Sequence, residues 1–133
     1  MLTRRSLVAG AFAAAVLLLM PLEAQAASWV NLGSRTVNLF VDRDTIRVGA
    51  GSGLFKRVRL QVSGNTVFIR DMHITFANGG GYDVPLRFMF RPGSSSRNID
   101  LPGAARFIRR VDFTYNKLPG GGRAVVTLQG YKL

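Results

Sequence analysis

The chain has 133 residues, with 18 Lys and Arg against 7 Asp and Glu, one His, no Cys and a formal net charge of +11. That length fits one domain. The lack of cysteine excludes disulfides, thiol nucleophiles and thiolate metal sites, and a single histidine excludes any centre built on two imidazoles.

Residues 1–26 read as a secretory signal peptide. Arg4 and Arg5 precede an uncharged stretch, Leu7 to Met20, followed by Pro21 and the small-residue pattern Ala24-Gln25-Ala26. As a helix the apolar stretch spans about 21 Å, short of a ~30 Å hydrocarbon core, so it reads as a leader cleaved after Ala26 rather than an anchor. Thr3-Arg4-Arg5-Ser6-Leu7 also resembles a twin-arginine signal, so both the Sec and twin-arginine routes stay open. The expected product, residues 27–133, is one periplasmic or secreted domain without a transmembrane segment. It keeps 13 Arg, three Lys and six Asp, a net charge of +10. Such a surface attracts polyanions, and arginine binds carboxylate and phosphate in bidentate fashion.

After the leader, apolar residues recur with period two and not with a helical period. Trp29 to Leu32 opens a strand that Gly33-Ser34 is expected to stop. Thr36 to Val41 is the second, Asp42-Arg43-Asp44 a turn, Thr45 to Val48 a third short strand, and Gly49 to Gly53 a loop. Phe55 to Val62 alternates, with Val58, Leu60 and Val62 against Arg57, Arg59 and Gln61. Ser63-Gly64-Asn65 turns the chain. In Thr66 to Phe76 the apolar positions switch from odd (Val67, Ile69) to even (Met72, Ile74, Phe76), which predicts a bulge near Arg70-Asp71.

Ala77 to Gly81 is a turn. Tyr82 to Arg91 alternates with Val84, Leu86, Phe88 and Phe90 inward, and Pro85 argues for a sheet edge or a strand start. Pro92 to Ser96 is a loop and Arg97 to Leu101 a short strand. Phe107 to Tyr115 shows a second phase slip near Arg109-Arg110. Asn116 to Gly122 is a loop, and Arg123 to Leu128 is the last strand. Eight or nine short strands without a covering helix predict an all-β fold, a two-sheet antiparallel sandwich of jelly-roll type in a single domain over 27–133.

The runs Trp29-x-x-Leu32-Gly33-x-Arg35, Asp44-x-Ile46-x-Val48-Gly49, Gly53-x-Phe55, Val58-x-Leu60-x-Val62, Ser96-Arg97-x-Ile99-Asp100-Leu101-x-Gly103 and Arg106-x-Ile108-x-x-Val111 cover nearly all of residues 27–133. Together they resemble a group of small exported proteobacterial proteins of unknown function. The resemblance implies an exported all-β domain and brings no catalytic residue with it.

No arrangement of side chains compels an enzyme. Asp42-Arg43-Asp44 offers two carboxylates to a Ca²⁺ but too few further oxygens, so the aspartates read as turn caps. Asp71 and His73 share a face of a regular strand and supply the elements of an acid–base pair. No nucleophile motif accompanies them, and a hydrolase using Asp71 and His73 is kept only as an alternative. Most of the six aspartates have an arginine within two residues, which lowers a carboxyl pKa rather than raising it as glycoside cleavage needs. No catalytic residue, metal or cofactor is expected. The glycine-rich loops lack the following helix of a phosphate-binding loop, and no specific nucleic-acid motif occurs.

The arginines are the remaining signal. Arg57 and Arg59 lie opposite Val58 and Leu60, and Arg87 and Arg91 opposite Phe88 and Phe90. If those strands are neighbours, they form a basic face that Arg109 and Arg110 extend. Ser94-Ser95-Ser96-Arg97 adds hydroxyls and a guanidinium. The expected partner is an anionic envelope polymer, a lipid headgroup or an acidic protein, bound without interleaved aromatic side chains. The competing expectation is a structural component that pairs through strand edges.

Overall fold

The structure, a computed structural model, describes residues 28–49 and 51–132. The signal peptide expected over residues 1–26 lies outside the described residues. Ten strands form: β1 (Ser28–Asn38), β2 (Arg43–Arg47), β3 (Leu54–Phe55), β4 (Arg57–Ser63), β5 (Val67–Phe76), β6 (Gly81–Val84), β7 (Phe88–Phe90), β8 (Ile99–Asp100), β9 (Arg106–Tyr115) and β10 (Arg123–Lys132). Among the described residues no helix is long and apolar enough to cross a membrane.

The strands make two antiparallel sheets. One has four strands in the order β1-β10-β4-β8. The other has six, ordered β2-β9-β5-β6, with β3 on β9 and β7 on β5. This is the all-β, jelly-roll-like sandwich that the spacing predicts. Alternation sends one side of each strand inward: Val58, Leu60 and Val62 of β4 and Ala124, Val126 and Leu128 of β10 meet Ile74, Val111, Phe113 and Tyr115 of the other sheet in one buried core. Removing the valine, leucine, isoleucine and phenylalanine side chains among these from water contributes about 1.5–3 kcal/mol each.

Both predicted phase slips are bulges. In β5, Thr114 pairs with Asp71 and Tyr115 with Ile69, so Arg70 is the extra residue. In β9, Ile108 pairs with Phe76 and Arg110 with Thr75, so Arg109 is the extra residue. The extra residue lets each strand bury apolar side chains on both sides of the slip.

Three expectations are corrected. Gly33-Ser34 does not stop β1. Leu128 pairs with Gly33 and Gln129 with Asn31, so a bulge at Leu32 carries the strand through. The last strand does not end at Leu128 but runs to Lys132. Gly130 conceals this in the sequence: it occupies an inward position where a Cβ would stand 2.6 Å from the Phe55 ring, so the ring fills the space that an apolar side chain would. Finally, Tyr82 to Arg91 is two strands. Pro85 to Arg87 interrupts them, and Arg87 adopts a left-handed backbone (φ 49°). The break faces the β5 bulge, and the Arg87 N–H donates to the Arg70 carbonyl at 2.9 Å. Phe88 keeps the inward side with Val84, Leu86 and Phe90, opposite Ile69, but at the sheet edge it stays 40% exposed rather than entering the core.

The loop after β7 lies along β4. Val62 N–H donates to Ser94 O (3.0 Å), Gly93 N–H to Val62 O (2.7 Å) and Ser96 N–H to Leu60 O (2.7 Å). The buried Ser96 hydroxyl accepts from Leu60 N–H (3.0 Å) and donates to Arg97 O (2.8 Å).

Candidate anion-binding face

The outward rows of the four-stranded sheet bring distant residues together. Tyr131 pairs with Trp29, and Gln129 lies between Asn31 on β1 and Arg59 on β4. Trp29 and Tyr131 meet edge to face with centroids 5.2 Å apart. The Arg59 guanidinium sits 4.2 Å from the Trp29 ring centroid, and that of Arg57 sits 5.5 Å from the Tyr131 centroid. Arg59 Nε donates to Gln129 Oε1 (2.7 Å), whose amide nitrogen donates to Asn31 Oδ1 (2.9 Å).

Arg59 is therefore fixed at its ring face and at Nε. Among the described residues its terminal nitrogens have no hydrogen-bond partner and no carboxylate lies within ion-pair distance. That is the fork arginine uses on a carboxylate or phosphate, with much of its ordering entropy already spent. Arg57 is tied to Asp100 (Nε to Oδ1, 3.1 Å), a carboxylate whose side chain is 80% exposed. Such an exposed pair is worth about 0.2–1 kcal/mol and exchanges readily for another anion.

The other arginines expected to form one basic face are not brought to it. β4 and β7 belong to different sheets, so Arg57 and Arg59 are separated from Arg87 and Arg91. Arg97 follows the loop after β7, and its guanidinium rests on the carbonyls of Pro85 and Leu86 (3.4 and 3.5 Å). Arg109 is the bulge residue of β9 and donates to Ala77 O (3.1 Å). Arg110 lies on the outer face of the six-stranded sheet and is paired with Asp112 at 3.2 Å. The expectation that aromatics are scarce beside the arginines is also corrected, since Trp29 and Tyr131 stand at Arg59 and Arg57. They escape the sequence reading because 102 positions separate them and because Gly130 hides the end of β10.

The six-stranded sheet carries a different face. One cross-strand row reads Thr45, Asp112, His73, Asp83. Thr45 Oγ1 donates to Asp112 Oδ1 (2.5 Å), and His73 Nδ1 lies 2.5 Å from Asp83 Oδ1. His73 thus takes its partner from β6, not from Asp71 on its own strand. Its ring lies over Gly81, where a Cβ would stand 2.7 Å from Cε1. The row lines an open groove of about 1040 Å³ together with Asp71 and Arg43. Among the described residues no group of three or more His, Asp or Glu side chains is placed to hold a metal ion.

Comparison with known proteins adds fold and family. Part of Pseudomonas aeruginosa AlgX superimposes with a TM-score of 0.50 at 13% identity, over 74% of this chain and 26% of AlgX. This chain thus spans about a quarter of that protein. Family 29 carbohydrate binding modules superimpose more loosely: one variant gives a TM-score of 0.38 at 12% identity over 78% of this chain and 91% of its own. Another gives 0.35 at 14% identity over 79% and 88%. No curated protein matches the sequence. Residues 11–130 match the family described as a domain of unknown function, DUF2541, and the chain belongs to that family.

Proposed function

We propose that the protein is an exported, non-catalytic binding domain whose four-stranded face takes an anionic saccharide polymer of the cell envelope. The observation that carries this reading is Arg59, stacked on Trp29 and held by Gln129, with its terminal nitrogens unclaimed. A carboxylate or phosphate on the polymer meets that fork. The exposed Asn31 amide, beside the half-buried Gln129, suits a neighbouring hydroxyl group, and Arg57 supplies a second cation on exchange with Asp100. With residues 1–26 acting as a cleaved export signal, the ligand is a periplasmic or extracellular one.

The test is affinity electrophoresis or titration against polygalacturonate and lipopolysaccharide over a range of salt. A charge-assisted fork contributes about 1.5–3 kcal/mol, so Arg59→Ala is expected to weaken binding at least tenfold. Arg59→Lys does not restore it, because an ammonium cannot make the planar contact. Arg109→Ala, on the other sheet, leaves binding unchanged. Equal retention of Arg59→Ala and wild type at every salt concentration overturns the proposal.

A further inference from the structure

β7 sits at the outer edge of the six-stranded sheet, hydrogen-bonded only to β5. Its sequence context is Arg87-Phe88-Met89-Phe90-Arg91, bracketed by Pro85 and Pro92. The left-handed backbone at Arg87 interrupts the strand pairing, and at this edge Arg87, Phe88 and Met89 are exposed in succession while Leu86 and Phe90 are buried. A bulky residue held at positive φ carries a backbone cost, and such outliers mark places where function opposes the cheaper conformation. Just beyond it the sheet edge leaves an aromatic ring on one side of the strand and a thioether on the other, 40% and 52% exposed. Phe68, half-buried and paired with Met89, extends the apolar tip.

Cations surround this tip. Arg87 and Arg91 flank it. The Arg97 guanidinium rests on the carbonyls just before Arg87, and the Arg70 carbonyl accepts the Arg87 N–H. Among the described residues none of Arg70, Arg87, Arg91 and Arg97 has a carboxylate within ion-pair distance, and the ion pairs that do form lie elsewhere. The acids nearest in sequence, Asp71 and Asp83, line the groove instead.

We infer that the β7 edge docks on an anionic lipid bilayer, with Phe88 and Met89 entering the headgroup region and Arg70, Arg87, Arg91 and Arg97 meeting lipid phosphates. Apolar residues at a tip and arginines in a ring around it match the two layers of a bilayer surface, which a soluble polyanion lacks. The site is separate from the Arg59 face and does not rest on the polymer reading.

Sedimentation with vesicles of phosphatidylcholine, with and without added phosphatidylglycerol, tests it. The protein is expected to bind the phosphatidylglycerol vesicles and not the neutral ones. Each arginine at an anionic surface is worth about fivefold in affinity, so Arg87→Ala/Arg91→Ala weakens binding on the order of twentyfold. Met89→Ser removes the part of the binding that survives high salt. Arg87→Gly relieves the backbone cost, keeps the fold by circular dichroism, and still loses about fivefold. Arg59→Ala keeps full vesicle binding even where it loses the polymer. Equal binding to both vesicle types, unchanged binding of Arg87→Gly, or loss of vesicle binding in Arg59→Ala overturns the inference.

Discussion

The two sheets bury the same kind of side chain and display opposite kinds of chemistry. Around Trp29 the outer face of the four-stranded sheet brings together two aromatic rings, the arginines Arg57 and Arg59, the amides of Asn31 and Gln129, and the exposed Asp100 carboxylate. The outer face of the six-stranded sheet gathers Asp71, Asp83 and Asp112 around His73, with Arg110 neutralised among them. In an acid-poor chain the placement of the few aspartates decides which arginines are free. Net charge alone points to all of them equally, and pairing separates Arg59 from Arg110. The two faces are also held by different contacts: aromatic stacking orders the first, and charged cross-strand contacts order the second.

Breaking the shared core affects both faces at once and has the largest expected effect. Leu60→Ala, at the fully buried residue that follows Arg59 on β4, is expected to cost about 2–5 kcal/mol, read by urea denaturation. Separating the faces takes smaller changes. Asp112→Asn weakens contacts to Thr45 and Arg110 and is expected to cost about 1 kcal/mol by the same measurement. It also releases Arg110, so retention on a polyanion rises, by up to about fivefold, if pairing is what silences that face.

Tyr115 tests the contact between the sheets. Its hydroxyl donates to Asn38 O of β1 at 3.3 Å. Its phenol is pushed up to about 12, by burial first and then by the Asp44 and Asp42 carboxylates. The unfolded tyrosine releases its proton near the ordinary value of 10, so between pH 10 and 12 the folded chain binds more protons than the unfolded one. The stability this group contributes is complete below pH 10 and falls as pH rises toward 12. In Tyr115→Phe that part of the alkaline decline is absent from a series of thermal melts. The smallest expected effect is that of Trp29→Leu, which removes the ring beneath Arg59 and costs about 0.5–1 kcal/mol of binding, seen by isothermal titration.

Much of the fold was legible because strand alternation is local. The switch from Ile69 to Met72 located the Arg70 bulge, and the slip near Arg109-Arg110 located its counterpart on β9. Pro85 marked a sheet edge, but not that Tyr82 to Arg91 divides there into β6 and β7. Sheet membership was not legible, because alternation says which side a residue takes and nothing about its neighbouring strand. That is why Arg57 and Arg59 were grouped with Arg87 and Arg91. The Trp29–Tyr131 contact depends on β1 pairing with β10 across almost the whole domain, with a one-residue slip at Leu32 on the way. No local pattern contains that register.

The loop sealed along β4 bears on the proposed collection of the protein on a polymer or a membrane. Concentration on a surface is also the condition under which bare strands recruit copies of one another into fibrils. Leu60 and Val62 offer no free amide to an incoming chain, since the Ser94 carbonyl and the Ser96 hydroxyl already occupy both. Crowding at the ligand can then rise without that margin of the sheet seeding aggregation.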